Sequence, residues 1–383
     1  MARAILARMR VRAAVLREIG RPAPCGESRP LVIEEVELDP PGPGEVLVRI
    51  RAAGLCHSDL SVIDGNRPRP VPMVLGHEAA GVVEAVGGGV TTLAPGDHVV
   101  AAFVPSCGHC RPCSIGRPAL CEPGFRANSA GTLLSGGRRL HDAQGAVHHH
   151  LGVSGFAERA VLAANSLVRV PADLPHAEAA LFGCAVITGV GAVVNTASMP
   201  RGASAAVVGL GGVGLAALLA ARMLEAPRLV AVDMNERKLA VARELGATAT
   251  VNAASPDAAE QVRELTGGGV EFAFEMAGSP RALELAYRIT ARGGTTVSAG
   301  LSHPQQQFTL PHLGLVAEER TIKGSYLGSC VPSRDIPRCI EWYRAGHLPV
   351  DHLLSERLRL EGINAAFDRL AAGESIRQVV ELD

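Results

Sequence analysis

Hydrophobic and polar positions fall into two textures along the chain. From Val11 to about Phe103 the apolar residues come in short runs bounded by glycine and proline. Val11–Leu16 reads as a strand. Glu45–Ala53 alternates around Val46, Val48 and Ile50, and Gly76–Gly87 and Gly96–Phe103 behave alike, which predicts a β-rich domain. From Gly202 the period changes. Ala203–Val208 predicts a buried strand, Gly209–Gly214 a turn and Leu215–Leu224 a helix. Leu229–Asp233 and Glu236–Leu245 repeat that unit, with Gly246 as the helix stop. Val270–Met276, Arg281–Thr290 and Thr295–Ala299 continue it, so strands alternate with helices as in a parallel, doubly wound sheet. Past Leu327 the regularity loosens, with helices near Asp335–Ala345 and Gly362–Ala372, and the tail is expected to return to the β-rich domain.

Two uncharged runs, Ala179–Pro200 and Gly202–Ala221, approach the length that spans a bilayer. The second holds Gly202, Gly209, Gly211, Gly212 and Gly214, and the first holds Thr188, Asn195, Thr196 and Ser198. A buried strand, turn and helix explain both runs without lipid. The opening MARAILARMR has three arginines and no apolar core of signal length, so residues 1–10 read as an extension ahead of the fold.

Composition narrows the function. The 383 residues are 47% hydrophobic and 20% charged, enough for two or three packed domains. With 37 basic against 38 acidic residues and 3% aromatics, the chain lacks the basic field and the stacking platforms of nucleic-acid binders. The nine cysteines, four of them between Cys107 and Cys121, point to thiol or metal chemistry in a reducing compartment, the cytoplasm.

Two motifs carry chemistry. Gly209-Leu-Gly211-Gly212-Val213-Gly214 fits G-x-G-x-x-G between a predicted strand and helix, and Asp233 ends the next strand 19 residues past Gly214. The glycines let backbone approach a pyrophosphate at a helix N-terminus. The carboxylate accepts ribose hydroxyls and repels a 2′-phosphate, which favours NAD over NADP. Cys107-x2-Cys110-x2-Cys113-x7-Cys121 suits a tetrahedral zinc ion with all four positions filled by protein, a structural site. An iron–sulfur cluster and paired disulfides are the alternatives. Cys56, His77 and Cys184 are ordinary residues singly, and spacing cannot bring them together.

The motifs CHSD at Cys56, GHEAAG at Gly76, CGHCRPCSIGRPALC at Cys107, GCAVITG at Gly183, GLGGVG at Gly209, VDMNERK at Val232 and SIR at Ser375 occur in one order over nearly the whole chain. In this the sequence resembles the zinc-dependent alcohol dehydrogenases of the medium-chain dehydrogenase/reductase superfamily. The resemblance implies an α/β protein with a β-rich GroES-like catalytic domain over residues 11–185, carrying a structural zinc lobe at 104–124. A Rossmann NAD-binding domain would cover 186–327, and 328–383 would complete the catalytic domain. Cys56, His77 and Cys184 would hold a catalytic zinc, making two zinc ions per chain, and hydride would pass from an alcohol to NAD+.

The same resemblance implies further roles. Ser58 would hydrogen-bond the substrate oxygen, Asp59 would orient the ligand histidine, and Glu78 would lie beside the metal. His57 and Arg377 would meet the cofactor pyrophosphate and Lys238 the adenosine ribose. Thr188 and Val213 would pack on the nicotinamide, with Phe103, His150 and Leu151 lining the substrate pocket. Ser61 stands where many relatives end their proton relay in histidine, so slower proton release at low pH is expected. The long segment Glu122–Gly155 implies a homodimer. Two rival activities share the scaffold: a thiol-adduct formaldehyde dehydrogenase, whose cationic marker would align with Phe125 beside Arg126, and a zinc-free quinone or enone reductase.

Overall fold

The computed structural model describes residues 7–383, and these divide into two units. The first takes the described residues up to Cys184, Val331–Ser333 and Leu354–Asp383; the second takes Ala185–Cys330 and Arg334–Leu353. The tail therefore does not return as one piece. The helix Pro332–Arg344 buries Ile336, Cys339 and Ile340, and from Arg334 to Leu353 the chain packs with the second unit. Apart from Val331–Ser333, it rejoins the first from Leu354 on, where 328–383 was expected to do so throughout.

In the first unit the strand Glu45–Gly54 is central to a seven-stranded sheet. It pairs with Glu78–Val86, with Arg159–Ala163 and, at its end, with the C-terminal strand Arg377–Glu381. That central place explains why the strand is buried beyond its alternating positions. A smaller closed barrel joins Met9–Leu16, Leu31–Leu38, Leu140–Asp142, Gly145–His149 and Met73–Val74. Its core holds Val11, Val15, Val36, Leu38, Val74, Leu133 and Val147, and Leu47 of the central strand. The first barrel strand starts at Met9, paired with Leu38, so Met9 and Arg10 are part of the sheet and not an extension; residues 1–6 lie outside the described residues.

The second unit carries six parallel strands in the order Ala249–Asn252, Leu229–Asp233, Ala205–Val208, Val270–Glu275, Thr290–Ser298, Thr321–Gly324. This is the doubly wound arrangement, whose chain order reverses beside Ala205–Val208 and leaves a crevice at the carboxyl ends of the strands there. The helix Gly212–Met223 buries Leu215, Leu218 and Leu219 among its alanines, as a run without charges should.

The uncharged run Ala179–Pro200 differs from the expected strand, turn and helix. It lies mostly in one helical stretch, His176–Thr196, long and apolar enough to cross a membrane, yet 94% of its most apolar window is buried inside the protein. The five residues Phe182–Val186 form a wider, π-type turn within it.

Candidate metal and nucleotide sites

The central strand Glu45–Gly54 runs straight into Leu55 and Cys56, and Cys56 caps the helix His57–Ile63. Leu55 is pinned from the other side, its N–H donating to Gln378 O at 2.9 Å. His77 follows Gly76, whose φ of +88° and closeness to Phe156 (an added Cβ would sit 2.6 Å from its backbone nitrogen) demand glycine. Cys184 sits in the wide helical turn, of a kind frequent at functional sites. Gly183 before it lets the helix press on the strand His98–Ala101, because a Cβ there would fall 2.3 Å from Ala101 O.

These elements bring Cys56, His77 and Cys184 together, with all three donor atoms within 4.8 Å of one another and all three side chains buried. Cys184 Sγ lies 3.5 Å from His77 Nε2. A thiolate and an imidazole nitrogen on one tetrahedral zinc would be about 3.6 Å apart, so the donor set fits that ion. His77 turns its other nitrogen to Asp59, Nδ1 to Oδ1 at 3.2 Å, so that in the neutral, ligating form the hydrogen sits on Nδ1 and the Nε2 lone pair faces the thiols. Burial lowers the pKa of His77, but the charge and hydrogen bond of Asp59, together with Cys56, outweigh it and hold it well above its usual value. The hydrogen bond with Cys184 pulls the Cys56 thiol well below its usual range, helped by the charge of Arg377, while the same bond and burial push Cys184 up.

Glu78 and Arg377 lie buried beside this cluster, Arg377 Nη1 3.5 Å from Glu78 Oε2 and donating to Leu55 O at 2.9 Å. Burial opposes the charge on Arg377, but Glu78 and the thiols raise its pKa overall, so it stays cationic. Phe103 stands edge-on to the His77 ring with centroids 5.3 Å apart. His150 lies 5.6 Å from the same ring, its Nε2 3.3 Å from Asp59 Oδ1, and burial pushes its pKa down to about 3. Leu151 follows with φ +51°, in a turn closed by the N–H of His150 donating to Ser154 Oγ. On the helix after Cys56, His57 is exposed and Ser58 half-buried. Ser61 Oγ donates to His57 O at 2.6 Å and accepts from Arg67 Nη2 at 2.9 Å. The sequence reading missed Arg67; its only signal was a cation six residues after Ser61.

The four clustered cysteines meet in the same unit, their sulfurs within 4.8 Å of one another. Cys110 Sγ and Cys121 Sγ are 3.9 Å apart. Two thiolates on a tetrahedral zinc lie about 3.8 Å apart, whereas a disulfide needs about 2.05 Å; all four are free thiols. Backbone N–H groups of Cys107 and Gly124 point at Cys121 Sγ, and that of Cys110 at Cys107 Sγ. The lobe is more helical than a plain loop, with turns at Arg111–Ser114 and Pro118–Leu120 leading into the helix Glu122–Ala130.

In the second unit, Ala205–Val208 passes through Gly209, φ +95°, into the helix that Gly211 caps. A Cβ on Gly214 would sit 1.8 Å from Gly209 O, so that glycine seats the helix on the strand. A Cβ on Gly211 would meet nothing within 4 Å, which leaves open space before the helix N-terminus where a pyrophosphate fits. Asp233 is half-buried and fixed, Oδ2 accepting from Leu210 N at 2.7 Å and Oδ1 from Asn235 N at 2.9 Å. Lys238 is partly exposed on the next helix. Thr188 and Val213 come close because Gly189 packs on Val213 O, where a Cβ would be 2.2 Å away. Thr188 Oγ1 is buried without a hydrogen-bond partner among the described residues.

Residues 42–172 match the alcohol dehydrogenase GroES-like domain family, and residues 212–345 the zinc-binding dehydrogenase family. A curated relative, "Putative alcohol dehydrogenase D" of Mycobacterium tuberculosis, is 41% identical over 97% of this chain and 100% of its own length. Among solved structures, an alcohol dehydrogenase zinc-binding domain protein from Burkholderia ambifaria superposes with a TM-score of 0.92 at 38% identity, covering 98% of this chain and 100% of the other. Benzyl alcohol dehydrogenase from Acinetobacter calcoaceticus gives 0.91 at 33% identity, with the same coverage.

Proposed function

Because this chain belongs to the zinc-binding alcohol dehydrogenases of the medium-chain dehydrogenase/reductase superfamily, we propose that it oxidises an alcohol to an aldehyde or ketone with NAD+ as hydride acceptor. The observation that carries this reading is the convergence of two thiols and one imidazole from remote stretches of chain. Three protein donors leave a tetrahedral ion one corner for an oxygen, whereas the four cysteines of the lobe leave none. Two zinc ions per chain follow. A zinc-free reductase would need neither Cys56 nor Cys184, so the donor set speaks against it.

When bound at the three-donor centre, zinc supplies a Lewis acid that makes an alcohol easier to deprotonate. The residues do the rest. Asp59 fixes the tautomer and plane of His77. Glu78 and Arg377 form a buried ion pair beside the thiols, with the Arg377 charge favouring the thiolate at Cys56. Ser58 takes the alcohol proton and passes it outward. Ser61, tied to His57 O and capped by Arg67, offers no free base to accept it, so with NAD bound the proton would leave by way of cofactor hydroxyls and water. Phe103 and Leu151 give the reacting carbon an apolar wall. Gly209, Gly211, Gly212 and Gly214 admit the pyrophosphate, with His57 as a cationic partner and Lys238 near the adenosine ribose. Thr188 and Val213 bed the nicotinamide, and the Asp233 carboxylate selects NAD over NADP.

We propose further that the chain works as a homodimer in the cytoplasm. Nine free thiols suit a reducing compartment. Leu301, Leu313 and Val316 are exposed ahead of the edge strand Thr321–Gly324, a surface that invites a second copy. Light scattering should give twice the chain mass.

The decisive experiment follows reduced-nicotinamide absorbance over a panel of alcohols with NAD+ and NADP+, starting with benzyl alcohol, together with metal content. Two zinc ions per chain and activity lost on chelation are expected; full activity in metal-free protein would overturn the mechanism. Formaldehyde with and without low-molecular-weight thiols separates the thiol-adduct alternative.

A further inference from the structure

Glu275 ends the strand Val270–Glu275 at its carboxyl end, beside the strand Ala205–Val208, and is 1% exposed. A carboxylate that deep is costly unless its oxygens are engaged. Both are. Oε1 accepts from Gly278 N at 2.6 Å and Oε2 from Ser298 Oγ at 2.6 Å. One side chain thus ties the loop after its own strand to the end of the next strand, Thr290–Ser298. Its carbonyl accepts from Ala299 N at 3.0 Å, which fixes the start of the second loop as well. The two loops in turn press on each other and on the glycine turn. A Cβ on Gly300 would lie 2.1 Å from Gly278 N, and a Cβ on Gly209 would lie 2.7 Å from Ala277 N. The loops reach solvent at Ala277 and Leu301, whereas the carboxylate beneath them does not.

In a doubly wound sheet a dinucleotide lies across the carboxyl ends of the strands where their order reverses, here between Ala205–Val208 and Val270–Glu275. The glycine turn after Ala205–Val208 forms one bank of that crevice, and loops 276–279 and 299–301 form the other. Asp233 and Glu275 end the strands on either side of Ala205–Val208. Each carboxylate accepts a backbone N–H from a loop of the crevice, Leu210 N for one and Gly278 N for the other. They differ in exposure. Asp233 is half-buried and can meet a ribose, which leaves the far bank for the nicotinamide end. Glu275 is sealed beneath its loops with both oxygens committed to protein. We propose that Glu275 is a positioning residue for the cofactor, locking loops 276–279 and 299–301 in the arrangement that receives the nicotinamide half of NAD without touching it. This inference rests on the NAD-dependent reading above.

Apparent affinity falls with the fraction of molecules that already hold the binding arrangement. Glu275→Ala releases both loops at once. In folded, zinc-loaded enzyme the dissociation constant of NADH, read from its fluorescence, should rise about tenfold, as for loops that hold the arrangement about one tenth as often. KM for NAD+ should rise in step, and kcat at saturating NAD+ should change far less. Glu275→Gln can accept from Gly278 N through Oε1 and donate to Ser298 Oγ through Nε2, so it should restore NADH binding to within about threefold of wild type. Ser298→Ala cuts one tie only and should weaken NADH binding about threefold, which covers a Glu275→Ala protein that fails to fold. A purely structural role predicts a lower melting temperature with an unchanged NADH constant in the molecules that stay folded, and that result in either alanine variant overturns the proposal. A glutamine variant as weak as the alanine one also overturns it, since the hydrogen bonds would then not be what matters. Should the wild type bind no NADH, the nucleotide-site reading fails and takes this inference with it; wild-type NADH binding that neither alanine substitution alters leaves that reading intact and sinks only this one.

Discussion

Gly183→Ala tests whether a single close approach between helix and strand sets the metal centre. The added methyl carbon would lie 2.3 Å from Ala101 O and 3.3 Å from Val100 Cγ1. Ordinary van der Waals contact begins near 3.4 Å, so the helix must withdraw by about 1.1 Å, and the obstacle is backbone of a paired strand that cannot rotate aside. Overpacking of this kind costs about 1–3 kcal/mol. Cys184 is the next residue and moves with the helix, so its sulfur is displaced by about 1 Å from the 3.5 Å separation it now keeps from His77 Nε2. Misplacement of that size costs about 100-fold in rate. The expected result is a lower melting temperature, a metal content falling from two zinc ions per chain towards one, and kcat down about 100-fold. The lobe of four cysteines should keep its ion. A Gly183→Ala protein with wild-type melting, two zinc ions and full activity would refute the packing argument.

Three other outcomes follow from the structure. Burial pushes the His149 pKa down to about 3, its Nε2 accepting from Arg139 N. The unfolded chain therefore binds this proton first, near the ordinary histidine value of about 6.5, and stability present above pH 6.5 is lost as pH falls towards 3. That loss is about 2 kcal/mol at pH 5, and in denaturant titrations at pH 7 and 5 His149→Asn should narrow the difference between the two. Ser61→His should raise kcat on the acidic side of the profile by supplying the missing proton acceptor; an unchanged pH–rate profile counts against the proposed exit route. Asp233→Ser removes the charge that repels a 2′-phosphate and should raise kcat/KM for NADP+ at least about tenfold, or 1.4 kcal/mol, measured as the ratio of initial rates with the two cofactors.

Several features were legible in the sequence because they are local. The four cysteines fall within fifteen residues, and a stretch that short gathers its sulfurs within 4.8 Å of one another. The strand, glycine turn and helix around Gly209 were readable because each step is set by neighbours: an uncharged strand, a glycine that takes φ +95°, and a helix that needs no side-chain cap. Alternation likewise placed Glu45–Gly54. The same reasoning failed on Ala179–Pro200, since an uncharged run without period does not distinguish a buried helix from a buried strand. It failed again on Arg334–Leu353, where amphipathic spacing specifies a helix but not the unit that covers its apolar face.

What the sequence determined by itself was the supply of chemistry: which thiols, imidazoles, carboxylates and glycines exist, and which of them are neighbours in the chain. The tertiary structure alone decided that Cys56, His77 and Cys184, the last two separated by 107 positions, share one point in space. It also decided that Arg67 closes on Ser61. Those meetings depend on strand pairing and on how closely backbones approach at Gly76 and Gly183. Long-range pairing of that kind is fixed by burial of the whole core, which short-range spacing along a chain does not encode.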